Sequence, residues 1–206
     1  MNYVDFADTF KDFPVIHIAD VKTAFSDFDH RRMYEWQKAG YIKKITRNFY
    51  VFADKHLNGD EVCFIGNKLR EPSYISMEYA LSHYSLIPEA VFVFTSITTK
   101  HPAAFETAIG NFDYTSIKKP LFFGYILSGQ GKAKYKIAEP EKALLDFLYS
   151  RSDVKSEGDI RELRINRDVF KEIIDTAKLG EYLAVFKSPT LARKVSLLLR
   201  YIQKHD

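Results

Sequence analysis

A single cysteine, Cys63, stands in a chain of 206 residues, so no disulfide can close within it. That usage fits a reducing compartment. No apolar stretch approaches the roughly 18–20 residues that a bilayer-spanning helix needs. The first thirteen residues carry Asp5, Asp8 and Asp12 and lack the basic segment that opens a signal peptide. A soluble, cytoplasmic protein with no membrane partner is expected. The histidines at 17, 30, 56, 83, 101 and 205 form no His-Glu-x-x-His pair, and one cysteine cannot build a structural zinc site, so no metal is expected. Gly129-Gln130-Gly131-Lys132 fails as a phosphate loop. The spacing would need glycine where Ile126 stands and Ser or Thr where Ala133 stands. The Asp-x-Lys at Asp153-Val154-Lys155 lies in a polar loop. Glu139, Glu141 and Asp146 could be paired acids, but helix N-terminal preference and a solvated face account for them. The chain is therefore expected to carry no catalytic residue and no cofactor.

The first fifty-odd residues hold the most legible pattern. Asn2 is placed to cap a helix in which Tyr3, Phe6, Ala7 and Phe10 recur at helical spacing. Val15, Ile16 and Ile18 follow Pro14 as a short extended run. Asp20 then caps a brief helix over Val21–Phe25, and Asp29 caps a third over His30–Ala39, closed by Gly40. On that third helix Met33 and Trp36 are spaced to face a core. Beyond Gly40 the period becomes two. Tyr41–Ile45 and Phe49–Phe52 read as strands joined by Thr46-Arg47-Asn48, where Asn48 tolerates positive φ. Helix, strand, helix, helix and a two-stranded wing is the order of a winged helix-turn-helix.

Charge singles out part of this unit. Residues 1–29 hold two lysines against six aspartates, a net −4, whereas residues 30–50 hold six cations against Glu35, a net +5. Those cations fall on the third helix and the wing, the elements that would face a duplex. Lys43, Lys44 and Arg47, with Asn48 at the turn, are candidates for positioning the phosphate backbone. Arg31 and Arg32 begin the third helix, where arginine can read guanine in bidentate fashion. Arg32 can instead lay its stem beside Trp36. His30, Tyr34 and Lys38 complete the outward face, with His30 as well suited to solvent as to contact. The plain alternative is that cations on a small hairpin are only solvated.

Residues 55–72, with Asn58-Gly59 and Arg70-Glu71-Pro72, read as a linker. Beyond it, Ser76 is placed to cap a helix bearing Met77, Ala80, Leu81 and Tyr84. Val91–Phe94 reads as a buried strand, and Phe105, Ile109, Phe112, Tyr114 and Ile117 as strand pieces. Leu121–Leu127 and Ala133–Ile137 flank a hairpin turn at Ser128-Gly129-Gln130-Gly131. Glu139-Pro140-Glu141 opens a helix with Pro140 at its first position. The fold class is α+β: a winged helix-turn-helix over 1–54, the linker, and over 73–206 a mixed α/β domain with a helical C-terminal part.

Three segments in this order, SYISMEYALSHYSLIPEAV (73–91), ITTKHPAAFETAIGNFDYTSI (97–117) and AEPEKALLDFLY (138–149), together with the wing YIKKITRNFY (41–50), resemble the AbiEi family of antitoxins from abortive-infection, type IV toxin–antitoxin systems. The resemblance covers roughly residues 1–150 and continues weakly into IRELRIN. It implies a winged helix that binds double-stranded operator DNA, typically inverted repeats, and represses its own operon. It also implies a larger domain that counteracts a nucleotidyltransferase-like toxin encoded beside it. Asn48 stands where the family's wing turn is usually glycine, and Ser85 where the following helix often ends in glycine.

The last helix opens at Ser188-Pro189, with Leu191, Val195, Leu198 and Ile202 inward. Arg193, Lys194, Arg200 and Lys204 occupy the rest, either as a solvated face or as a second basic patch for DNA or an acidic toxin surface. Two rivals to an antitoxin remain at this point. One is a winged-helix transcriptional regulator whose larger domain senses a ligand or protein and has no toxin partner. The other is a nucleic-acid enzyme using the middle domain.

Overall fold

The computed structural model describes residues 2–204. Met1, His205 and Asp206, at the ends of the two expected domains, lie outside the described residues. The architecture is α+β, with a small three-stranded sheet and a six-stranded mixed sheet.

The N-terminal unit runs α1 (Tyr3–Phe10), β1 (Ile16–His17), α2 (Ile18–Ala24), α3 (Arg31–Lys38), β2 (Ile42–Thr46) and β3 (Phe49–Phe52). Asn2 and Asp5 form a reciprocal capping box that starts α1. The α2 helix begins three residues earlier than expected. His17 Nδ1, rather than Asp20, accepts from the Ala19 N–H at 3.2 Å, so an imidazole does the capping and Asp20 lies in the first turn. β1 pairs with β3, and β3 with β2, all antiparallel, giving the order β1-β3-β2. Phe6, Phe10, Val21, Met33, Trp36, Ile42 and Phe52 close one core beneath the helices.

The segment expected to be a linker is instead a helix, α4 (Gly59–Leu69). Asn58-Gly59 is its start, not a turn: Asn58 Oδ1 accepts from Glu61 N at 3.0 Å and Glu61 answers to Asn58 N at 3.1 Å. Val62 and Ile65 of α4 pack with Val15, Ile45 and Val51 of the N-terminal unit and with Phe112 and Tyr114 of the larger sheet. Gly66 lets α4 approach that sheet closely, since a Cβ there would stand 3.1 Å from the Phe112 ring.

The larger unit continues with β4 (Ser73–Ile75), α5 (Met77–His83), β5 (Val93–Thr98), β6 (Ala103–Thr107), β7 (Gly110–Ser116), a 3₁₀ turn (Lys119–Leu121), β8 (Tyr125–Ser128), β9 (Tyr135–Ala138) and α6 (Pro140–Ser150). The sheet order is β6-β7-β5-β4-β9-β8, parallel at β5–β7 and β4–β9. The strand expected at Val91–Phe94 lies two residues later, and Phe92 is 85% exposed. Ser76 precedes α5 without a side-chain cap bond, because its hydroxyl donates instead to Asp146 at 2.8 Å. The C-terminal part is helical: α7 (Glu157–Glu162), α8 (Arg167–Ile173), α9 (Thr176–Phe186) and α10 (Pro189–Gln203). Leu191, Val195, Leu198 and Ile202 of α10 are buried in the main core, as expected.

Candidate nucleic-acid interface

The exposed side of α3 follows from how its other side is held. Met33 and Trp36 are buried, and Trp36 meets Phe6 at 4.5 Å and Tyr3 at 5.6 Å between ring centroids. With that side fixed on α1, Arg31, Tyr34 and Lys38 share the outward stripe, spaced i, i+3, i+7. All three are exposed, Tyr34 to 70%. Asp29 Oδ1 accepts from Arg31 N at 2.9 Å and so holds the helix start. Arg32 is exposed and paired with Glu35 at 3.2 Å, which leaves it less available than Arg31. His30 is exposed and in ring contact with Phe28, 5.6 Å between centroids.

The turn between β2 and β3 has Asn48 at φ 71°, in the left-handed region that asparagine tolerates. Lys44 and Arg47 are exposed there and, among the described residues, join no ion pair. Lys43 is exposed as well, but its ammonium turns back and donates to the Ala53 carbonyl at 3.0 Å. It borders a cleft between the β2–β3 hairpin and the larger unit with Leu57, Val62 and Ile109. The structure thus brings Arg31, Tyr34, Lys38, Lys44 and Arg47 to the outside of the N-terminal unit and directs Lys43 toward the body.

The second basic patch does not form as expected. Lys194 is buried, its Nζ donating to the Leu148 carbonyl at 2.8 Å and to the Arg151 carbonyl. It satisfies carbonyls at the C-terminal end of α6 that have no partner within the helix. Burial pushes its pKa down. Arg193, Arg200 and Lys204 are exposed, with Lys204 paired to Glu157 at 2.7 Å.

The acidic residues of α6 are also not a solvated face. Glu141 and Asp146 are buried, with Lys142 between them in the chain and fully buried. Lys142 Nζ pairs with Asp146 and donates to Tyr74 Oη at 2.8 Å, while Tyr74 and Ser76 hydroxyls donate to Asp146 Oδ2 at 2.9 and 2.8 Å. The rings of Tyr74, Phe123 and Phe186 lie 5.0–5.3 Å from the ammonium. Burial pushes the Lys142 pKa down and the Asp146 pKa up. Every member is shut off from solvent, so the cluster ties α6 to β4 and offers no surface for a substrate. Sequence reasoning missed it because Tyr74 and Ser76 lie about seventy positions from Asp146.

A cavity of about 450 Å³ opens where the N-terminal unit meets α4, between Phe13, Val15, His17, Phe49, Phe64 and Lys68. Among the described residues no three or more His, Cys, Asp or Glu side chains group so as to hold a metal ion, and no helix is long and apolar enough to cross a membrane. No protein-family model and no curated protein matches the chain.

Proposed function

We propose that the chain is a DNA-binding antitoxin that represses its own operon, with residues 2–54 acting as a winged helix-turn-helix. What supports the DNA half is the outward stripe Arg31, Tyr34, Lys38 on α3 beside Lys44 and Arg47 of the hairpin, which are exposed and join no ion pair among the described residues. A helix of this kind lies in the major groove with its N-terminal residues at base edges, and a wing turn reaches the neighbouring backbone. Arg31 would read a base, most naturally guanine, and Lys44 and Arg47 would hold phosphates. The operator is double-stranded DNA, in inverted repeats if the protein binds as a pair. The antitoxin half rests on the resemblance of residues 73–149 to AbiEi antitoxins and assigns protection against a nucleotidyltransferase-like toxin to the larger unit.

Binding to the protein's own upstream region, read by fluorescence anisotropy against salt, tests the DNA half. Lys44→Ala and Arg47→Ala should each weaken binding on all sequences and lower the salt slope by about one. Arg31→Ala should cost about 1–3 kcal/mol on the preferred sequence and relax the preference. Absence of salt-sensitive binding rejects it. Co-expression with the product of the adjacent gene tests the antitoxin half.

The junction cavity favours a second reading, a regulator that senses a small ligand and has no toxin partner. Its volume is in the range of small-molecule sites, and it touches β1 and β3 of the DNA-facing unit. An adjacent gene unrelated to nucleotidyltransferases would favour this reading.

A further inference from the structure

Strand β8 closes one side of the six-stranded sheet, and among the described residues no further strand pairs with its outer edge. The Glu139 N–H donates to the Gly124 carbonyl at 2.9 Å, and from there the β8–β9 register runs Tyr125↔Ala138 to Ser128↔Tyr135. Hydrogen-bonded pairs alternate along an antiparallel ladder, so Ile126 and Ser128 spend their backbone groups on β9. Tyr125 and Leu127 therefore turn their N–H and C=O to the open edge. The outward bond of Lys136 N to Asn67 Oδ1 at 2.6 Å fits the same alternation on the other side of β9.

Natural edges are usually blunted by charge, proline or a covering element. The opposite edge, β6, carries Glu106 and lies against β2. The β8 edge has no charge from Pro120 to Gly131 and exposes Ile126 (47%) and Leu127 (67%). Along the chain on either side of it the charges are lysines. Between Asp113 and Glu139 the chain holds Lys118, Lys119, Lys132, Lys134 and Lys136 and no acid. Leu127 faces Lys136 across the ladder and shares its side of the sheet with Lys134. These three border a cavity of about 290 Å³ whose far wall is Phe64, Asn67 and Lys68 of α4, with Glu71 beside them pairing with Lys68 at 2.8 Å. Asn67 is nine-tenths buried, and its bond from Lys136 N fixes the amide orientation, leaving Nδ2 without an acceptor in the protein.

We propose that the β8 edge is a docking site for an extended acidic segment of a partner protein, which adds to the sheet as a seventh strand. Its backbone would pair with Tyr125 and Leu127. Every second side chain would be a carboxylate facing Lys134 and Lys136, since Lys68 is already paired with Glu71, and the alternate side chains would be apolar, beside Ile126. Main-chain bonds supply affinity in this mode, and alternate side chains supply selectivity. A second copy of this chain fits poorly, because pairing two β8 edges brings two all-lysine hairpins together. A duplex fits poorly too, because phosphates use neither the open backbone edge nor the exposed Ile126 and Leu127. The inference is independent of the DNA reading of α3 and the wing.

The test uses the full chain and a fluorescent peptide alternating glutamate and valine, with a lysine–valine peptide as control. The acidic peptide should bind and slow amide exchange at Tyr125 and Leu127, and the basic one should not bind. Lys134→Glu with Lys136→Glu should weaken binding about tenfold or more. Ile126→Lys, at an exposed position and with its fold checked by circular dichroism, should also weaken it. DNA binding through α3 should be unchanged in all of these variants. No binding at about 1 mM peptide, a Kd in which nothing is held more tightly than about −4 kcal/mol, would overturn the proposal. So would binding without protection of Tyr125 and Leu127, self-association abolished by Ile126→Lys, or loss of duplex binding in the Lys134→Glu, Lys136→Glu variant.

Discussion

Lys142 sits in an apolar core with its charge balanced by one carboxylate and softened by three rings, so its cost depends entirely on its partners. Asp146→Ala leaves an ammonium facing only the Tyr74 hydroxyl and should cost about 3–5 kcal/mol of stability. Lys142→Met leaves Asp146 with two hydroxyl donors and should cost less than Asp146→Ala. Replacing both, Lys142→Met with Asp146→Leu, should recover much of the loss, because no charge is then buried. Urea unfolding of the two single variants and the pair measures this. Additive losses would show that the pair is not coupled. Cys63 gives a second residue-scale expectation. Burial pushes its thiol up to about 12, with Tyr79 and Tyr135 hydrogen bonds opposing and Asp60 reinforcing that rise. An unfolded thiol ionises near 8.5. The folded pKa is the raised one, so the thiol's contribution to stability is complete below about pH 8.5 and is lost as pH rises toward 12. At pH 8 a thiol reagent should label Cys63 only as fast as the chain opens, and urea should accelerate labelling sharply. Fast labelling of the folded protein would contradict this placement.

Secondary elements were legible where one side of the chain is apolar and the signal is local. The α1, α3 and α10 helices each bury a single stripe, and the β2–β3 hairpin turns at an asparagine, so periodicity and turn chemistry suffice. The α4 helix escaped for two reasons. Its apolar side chains serve two clusters, Val62 and Ile65 in one and Cys63 in the other, so no one-sided stripe appears. Its first residues, Asn58-Gly59, belong to the set that both turns and helix starts favour, and only the Glu61 three positions on separates the two. The β5 strand was misplaced because an apolar run was equated with burial, whereas Phe92 points to solvent. Residue type alone places the acids of α6 and the cations of α10 in solvent. Lys142, Asp146 and Lys194 are buried because distant segments supply their partners, and no local pattern carries that information. Of the candidate interface, the outward positions on α3 and at the turn were readable from spacing, but the inward course of Lys43 was not, since it depends on the Ala53 carbonyl.

At the scale of the molecule, α4 changes where the chain can be divided. The larger unit cannot be cut at residue 73 as the linker reading suggested. The α4 helix packs on β4, β5 and β9, Tyr114 donates its hydroxyl to the Gly66 carbonyl, and Asn67 terminates the β9 ladder. Removing residues 1–72 would expose Phe112 and Tyr114 and leave Tyr135 without Asp60. A fragment of residues 73–206 should therefore be poorly packed, with broad unfolding and dye-binding apolar surface. A fragment of residues 56–206 retains α4 and should unfold cooperatively. It should be less stable than the whole chain, because Val62 and Ile65 lose contact with Val15, Ile45 and Val51. At about 25 cal/mol per Å² of apolar surface newly exposed, three aliphatic contacts amount to a few kcal/mol, and the loss should appear as a lower urea midpoint. If residues 56–206 fold and still protect cells from the adjacent gene's product, protection does not run through DNA. If residues 73–206 prove as cooperative as residues 56–206, α4 belongs with the N-terminal unit and the division shown by its packing is wrong.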